Sequence, residues 1–192
     1  MRRHWKYSTG WQPQRALHFV IESALIFIGS STKVGRVLKK EKYESMLIVA
    51  DGKGDQLVEG IKIFDIGKRK SSRIKRFYQD SKKALNKARE LDCELYHFHD
   101  PELIPIAIRL KRKTGKQIVF DSHEDLPKQI RNKPYLKPWI SKLLAFFFII
   151  YENKLCSKFN LIIAATKSIE EKFKKINTNT ITLNNYPIRG EF

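Results

Sequence analysis

The stretch ELYHFHDPELIPIAIRLKRKTGKQIVFDSHED, residues 94–125, decides the fold. Glu94 to His99 and Gln117 to Asp121 are short, apolar and rich in β-branched or aromatic residues, which predicts two strands. Between them, Pro101 to Thr114 repeats its apolar residues at helical spacing. Pro101 suits a first helical turn, where its missing N–H leaves no bond unmade, and Gly115 suits the stop. Strand, helix and strand in this order form a βαβ unit with parallel strands. The alternation continues outward in both directions. Strands are predicted at Met46–Ala50, Ile61–Ile66, Leu161–Ala165 and Thr180–Leu183, and helices at Ser71–Leu91, Tyr135–Ser157 and Ser168–Lys175. The strands are apolar nearly throughout, as expected when helices cover both faces of a sheet. The fold class is α/β with a mostly parallel sheet in three layers, α/β/α.

A chain of 192 residues suffices for one domain with a real core, and its 42% apolar and 11% aromatic content is that of a globular protein. Cys93 and Cys156 are too few for a disulfide framework, which fits a reducing, cytosolic location. The 38 basic against 20 acidic residues leave a net charge of +18, which implies an anionic partner: nucleic acid, anionic lipid or a phosphorylated substrate. The longest uncharged apolar run, Leu143 to Tyr151, is about half the roughly 20 residues a membrane-spanning helix needs. The N-terminus has basic residues before an apolar stretch, but Glu22 interrupts it and no small-residue cleavage site follows, so no secretory signal is read there. Asp51-Gly52-Lys53-Gly54-Asp55 reads as a polar turn between two strands. A phosphate-cradling loop would be followed by a helix.

Two loops carry the chemistry, because both follow predicted parallel strands, where ligands bind in open α/β sheets. In the first, His97 and His99 share a strand face by alternation, and Asp100 begins the turn into the next helix, where it serves equally as an N-cap. In the second, His123 is flanked by Asp121, Glu124 and Asp125, more carboxylates than a helix cap requires. A group that binds a sugar hydroxyl or phosphate beside a proton acceptor has this composition, and Asp121 and His123 are the candidate catalytic pair. Histidines two apart on a strand with nearby carboxylates also compose a metal site, so a metallohydrolase using His97, His99, Asp121 and His123 is an alternative.

Residues 94–130, with LKKEKYESMLIVADGKGDQLVEGIKIFDIG (38–67) and KSIEEKFKKINTNTITLNNYP (167–187), resemble the N-terminal domain of family 4 glycosyltransferases. These are retaining enzymes of capsule and lipopolysaccharide assembly, and the likeness runs from about Leu38 to Tyr186. It implies a Rossmann-like domain forming one half of a GT-B fold and lining the acceptor side of a cleft between two domains. His123 would contact the donor sugar across the cleft, while His99, Asp100, Glu124 and Asp125 would form the acceptor side. Catalysis would rest on positioning and charge stabilisation of an oxocarbenium-like state, with a nucleotide sugar as co-substrate and no metal or other cofactor.

The sequence departs from the family at both ends. Residues 1–35 do not show the Asp-x-Arg-Ile-like segment that follows the family's first strand, and their sequence leaves open whether they supply that strand, so they are set apart as an atypical N-terminal segment. The Rossmann-like domain is assigned to 36–187, and 188–192 to the start of an interdomain linker. The family crosses into its nucleotide-binding domain after Asn184-Asn185-Tyr186-Pro187, close to the last residue, Phe192. The expectation is little transfer by this chain alone, with a fragment, a frameshifted product or half of a split enzyme all compatible with the sequence. A separate polypeptide would then supply the other half.

Lys133, Lys137 and Lys142 interleave with Tyr135, Leu136, Trp139 and Ile140 just before LLAFFFII (143–150). Basic and amphipathic residues in this order predict an interfacial helix on an anionic membrane surface, with part of the apolar run in the core. The resemblance implies lipid-linked or glycan acceptors, and hence a peripheral location on the inner face of the cytoplasmic membrane. A basic nucleic-acid-binding domain is the other reading of the charge. No groove-reading or stacking motif accompanies it, and nucleic acid is not expected as a partner.

Overall fold

The computed structural model describes residues 15–19, 44–58, 60–68, 79–99 and 101–183. These build an α/β domain around an eight-stranded sheet. The strands are β1 Arg15–Phe19, β2 Glu44–Val49, β3 Gln56–Val58, β4 Ile61–Asp65, β5 Leu95–Phe98, β6 Gln117–Ser122, β7 Leu161–Ala164 and β8 Thr180–Thr182. Their order across the sheet is β3-β4-β2-β1-β5-β6-β7-β8. Every pairing is parallel except the β3–β4 hairpin. The helices are α1 Ser81–Leu91, α2 Ile104–Thr114, α3 Leu126–Arg131, α4 Pro138–Cys156 and α5 Lys167–Lys174.

The first strand comes from the segment set apart in the sequence. Arg15–Phe19 lies between β2 and β5, pairing in parallel with Glu44–Ile48 on one side and with Leu95–Phe98 on the other. Strands β5 and β6, the pair that carries the candidate loops, are adjacent and in register with Leu95 opposite Gln117 and His97 opposite Val119.

Burial follows the pleat. Met46, Ile48 and Ala50 join the main core, which includes Tyr96, Phe98, Leu103, Leu110, Ile118, Phe120 and Phe173. Leu47 and Val49 face the other way and pack with Ile63. Both faces of β2 are therefore covered, as the near-continuous apolar pattern requires. Phe120 lies between Phe159 and Phe173, with ring centroids 5.6 and 6.1 Å away. The Cys93 and Cys156 thiols are free and buried.

The helix bounds follow local chemistry. A short 3₁₀ turn at Pro101–Leu103 leads into α2, and Gly115 ends that helix at φ 69°, donating its N–H to the Lys111 carbonyl at 2.8 Å. The Thr166 side chain caps α5 by accepting from the Ile169 N–H. The helix predicted at Ser71–Leu91 is described only from Asp80 and Ser81 onward, and residues 69–78 lie outside the described residues. The turn at 51–55 closes on the carboxylate at the end of β4: Gly52 and Gly54, with Gly67 just beyond the strand, donate their N–H groups to Asp65 at 3.2, 2.9 and 2.9 Å. At Gly52, with φ +75°, an added Cβ would come within 2.9 Å of Lys68 Cβ, so only glycine fits there.

Candidate active site

The carboxyl ends of β5 and β6 bring four of the singled-out side chains together. Carrying the β5–β6 register two residues onward sets His99 level with Asp121 on the same face as His97 and Val119. Asp121 sits among three imidazoles. His97 Nε2 and His99 Nδ1 each lie 3.5 Å from Oδ2, and His123 Nε2 lies 3.5 Å from Oδ1. His99 Nδ1 is 3.3 Å from His123 Nε2, and the His99 ring lies 4.4 Å from His97 and 5.6 Å from His123 between centroids. His97, His99 and Asp121 are buried, whereas His123 reaches the surface with a fifth of its side chain exposed, 21%.

The electrostatics follow from this crowding. Burial, reinforced by the neighbouring His97, pushes His99 down to about 3, so it is neutral at pH 7. Burial alone would raise Asp121, but the facing His123 and His97 rings hold it well below the usual carboxylate range. A fixed negative charge thus sits behind a neutral imidazole and beside a half-open one.

The other predicted residues diverge. Glu124 is exposed, and its carbonyl accepts from Ser122 Oγ at 3.2 Å. Asp125 turns toward Lys128 and Lys172, each 3.2 Å away, and these lysines hold its carboxyl below the ordinary range despite burial. Asp100 lies outside the described residues. Lys172 also contacts the buried Glu152 of α4 at 2.5 Å, so one ammonium ties the loop after β6 to α4 and α5. Sequence reading passed over Glu152 and Lys172. The available signal was a lone carboxylate within the apolar run of α4, on the same helical stripe as Ser141, Ala145 and Cys156.

Two concavities flank the loop. An apolar groove of about 630 Å³ is walled by Pro101 after β5, Leu126 after β6, and Tyr135, Leu144, Phe147 and Tyr151. A polar hollow of about 430 Å³ is lined by Asp125, Lys128, Arg131, Ser168, Lys172 and Lys175.

Helix α4 is apolar on the outside. Its buried residues are Ser141, Ala145, Glu152 and Cys156, small or polar side chains, while Trp139, Leu143, Phe146 and Ile150 are about half exposed or more. Lys133, Lys137 and Lys142 are grouped at the start of this helix, with Lys133 Nζ 5.6 Å from the centre of the Tyr135 ring. The apolar run expected to lie partly in the core contributes mainly Ala145 to it. No helix among the described residues is long and apolar enough to cross a membrane.

Residues 32–182 match the family model Glycosyltransferase Family 4. The chain belongs to that family. Solved structures share the fold of this family 4 chain. Sucrose-phosphate synthase from Thermosynechococcus elongatus matches at TM-score 0.65 and 12% identity, over 89% of this chain and 48% of that one. The catalytic domain of starch synthase IV from Arabidopsis thaliana, bound to ADP and acarbose, matches at 0.61 and 11%, over 91% and 52%. Anabaena Alr3699/HepE in complex with UDP-glucose matches at 0.53 and 11%, over 89% and 43%. This chain therefore spans about half the length of these proteins, and its fold is the Rossmann-like half of a GT-B glycosyltransferase. Among curated proteins no sequence matches it.

Proposed function

We propose that this family 4 domain forms the acceptor side of a retaining, hexosyl-transferring enzyme of cell-surface glycan synthesis, of the capsule or lipopolysaccharide type. The carrying observation is the Asp121–His99–His123 cluster at the carboxyl ends of β5 and β6, beside an apolar groove. His123, at the rim, contacts the donor sugar. Asp121, buried and ionised, supplies fixed negative charge close to where positive charge develops on the sugar, which is how preorganised sites lower such barriers. His99, Asp100, Glu124 and Asp125 shape the acceptor side, with Asp125 braced by Lys172.

The donor is a nucleotide sugar, in keeping with the UDP-glucose held by the Anabaena relative in fold. Its nucleotide is bound by a second domain, whether a continuation of this polypeptide or a separate one. The acceptor is a lipid-linked or glycan chain presented at an anionic membrane surface, where α4 docks with Lys133, Lys137, Trp139 and Lys142. The inverted exposure of α4 supports that docking.

The test is transfer of radiolabelled sugar from a panel of nucleotide sugars to a membrane lipid extract, with this chain alone and with a nucleotide-binding half added. Incorporation that needs both halves and disappears with Asp121→Asn supports the reading. Incorporation indifferent to Asp121, or none with both halves present, refutes it.

A further inference from the structure

Sugar transfer as proposed needs no metal ion, yet the groups gathered around Asp121 are transition-metal ligands by type. We propose that His97, His99 and Asp121, with His123 as a fourth ligand, bind one divalent ion of the zinc class. The inter-atomic spacing carries this. His97 Nε2 and His99 Nδ1 each lie 3.5 Å from Asp121 Oδ2, while His123 Nε2 lies 3.5 Å from the other oxygen, Oδ1, and 3.3 Å from His99 Nδ1. These contacts lie at the long end of hydrogen-bond geometry, whose usual range is about 2.7–3.2 Å. Ligand atoms bound tetrahedrally to zinc at about 2.0–2.1 Å stand about 3.3–3.4 Å apart, the edge of the coordination tetrahedron. Candidate ligand atoms of His97, His99 and Asp121 all lie within 4.8 Å of one another.

The donor set selects the ion. Three imidazoles and one carboxylate suit zinc, cobalt or copper, whereas magnesium and calcium require oxygen ligands. Three of the ligands are buried at strand ends, and the fourth sits on the loop after β6 with a fifth of its side chain exposed, 21%, which leaves an entry path. The chain's net charge of +18 repels free cations, so stoichiometric uptake reports coordination rather than electrostatic accumulation. A bound ion occupies Asp121 as well as His123, so metal loading opposes both the negative charge and the donor-sugar contact of the proposed transfer site, and the ion-loaded chain is a state distinct from the transferring one.

The experiment is titration of the chelator-stripped chain with Co²⁺, read by its visible ligand-field bands, followed by Zn²⁺. The expected result is one Co²⁺ per chain with the intense bands of four-coordinate cobalt, bleached by one Zn²⁺. Asp121→Ala and His99→Ala abolish these bands. The partly exposed His123→Gln, whose folding is checked by circular dichroism, weakens binding at least about tenfold, a loss seen even for groups that only brace a ligand. Weak six-coordinate bands, uptake below one ion per chain, or uptake undiminished in His123→Gln overturns the proposal. No donor or acceptor enters this titration, so its outcome is separate from that of the transfer assay.

Discussion

Replacing Trp139 and Phe146 together by alanine removes two side chains of the outward stripe of α4 without opening the core. Their exposures of 65% and 54% mean that a little over half of each side chain gains nothing from the fold. Full burial of such a side chain is worth about 1.5–3 kcal/mol, so seating the exposed half in a membrane interface contributes about 1 kcal/mol per residue. The double variant therefore binds anionic vesicles about 2 kcal/mol more weakly, roughly 30-fold. Loss of Lys137 and Lys142 removes about 1 kcal/mol each near an anionic surface, an effect that fades with added salt, while the apolar loss persists. Sedimentation with phosphatidylglycerol-containing and pure phosphatidylcholine vesicles, at low and high salt, separates the two contributions. Urea unfolding of the double variant shifts little, since exposed substitutions rarely do more. Undiminished vesicle binding by the double variant refutes membrane docking through this face, and a large loss of stability shows that the stripe is covered by protein instead.

Three further outcomes follow from the structure. Within an active two-domain assembly, His123→Ala lowers kcat/KM about 100-fold or more, because positioned proton-transfer and charge-stabilising groups contribute on that scale; unchanged kinetics remove His123 from the site. Phe120→Ala, a fully buried ring between Phe159 and Phe173, lowers the unfolding free energy by about 3–5 kcal/mol in urea titration. At the lysine bridge the two carboxylates have opposite pH signatures. Burial raises Glu152, so the folded state binds its proton more readily and stability falls as pH rises above the ordinary value of 4.5, whereas Asp125 is lowered and adds stability that is lost only as pH falls through its folded value. Glu152→Gln therefore gains stability relative to the parent chain between acid and neutral pH, and a constant difference across that range contradicts the assignment.

How far sequence foretold these features depends on what each feature is made of. Periodicity within one segment is local, so β2, β4–β8, α2 and α5 were legible to within a few residues. Strand β1 was not: Arg15-Ala16-Leu17-His18-Phe19 opens on a charge and runs into further apolar residues, whereas central parallel strands are usually apolar throughout. Its place is fixed by backbone pairing with β2 and β5, which no local pattern encodes. Strand β3, three residues long, is below the length at which alternation speaks. In the site, alternation on β5 and the concentration of acid groups after β6 pointed to His99, Asp121 and His123 separately. Their meeting required β5 and β6 to be neighbours in one register, and that same register drew in His97.

Helix α4 shows why such a boundary is physical. Its sequence is apolar on nearly every side, so the periodicity that normally tells core from solvent is almost flat, and sequence reads an interfacial helix from the adjoining lysines without dividing the run between interior and interface. Packing decides between them. The fully buried α4 side chains are Ser141, Ala145, Glu152 and Cys156, small or polar, and beside them only Tyr151 and Leu155 of this helix pack against the main core, from part-buried positions near its C-terminal end. A helix buried for its own hydrophobicity would turn its largest residues inward. Here Leu143, Phe146 and Ile150 turn outward, with Trp139 above them and lysines grouped at the N-terminal end. That outward stripe, with the adjoining lysines, is the feature on which the proposed docking to an anionic membrane surface rests.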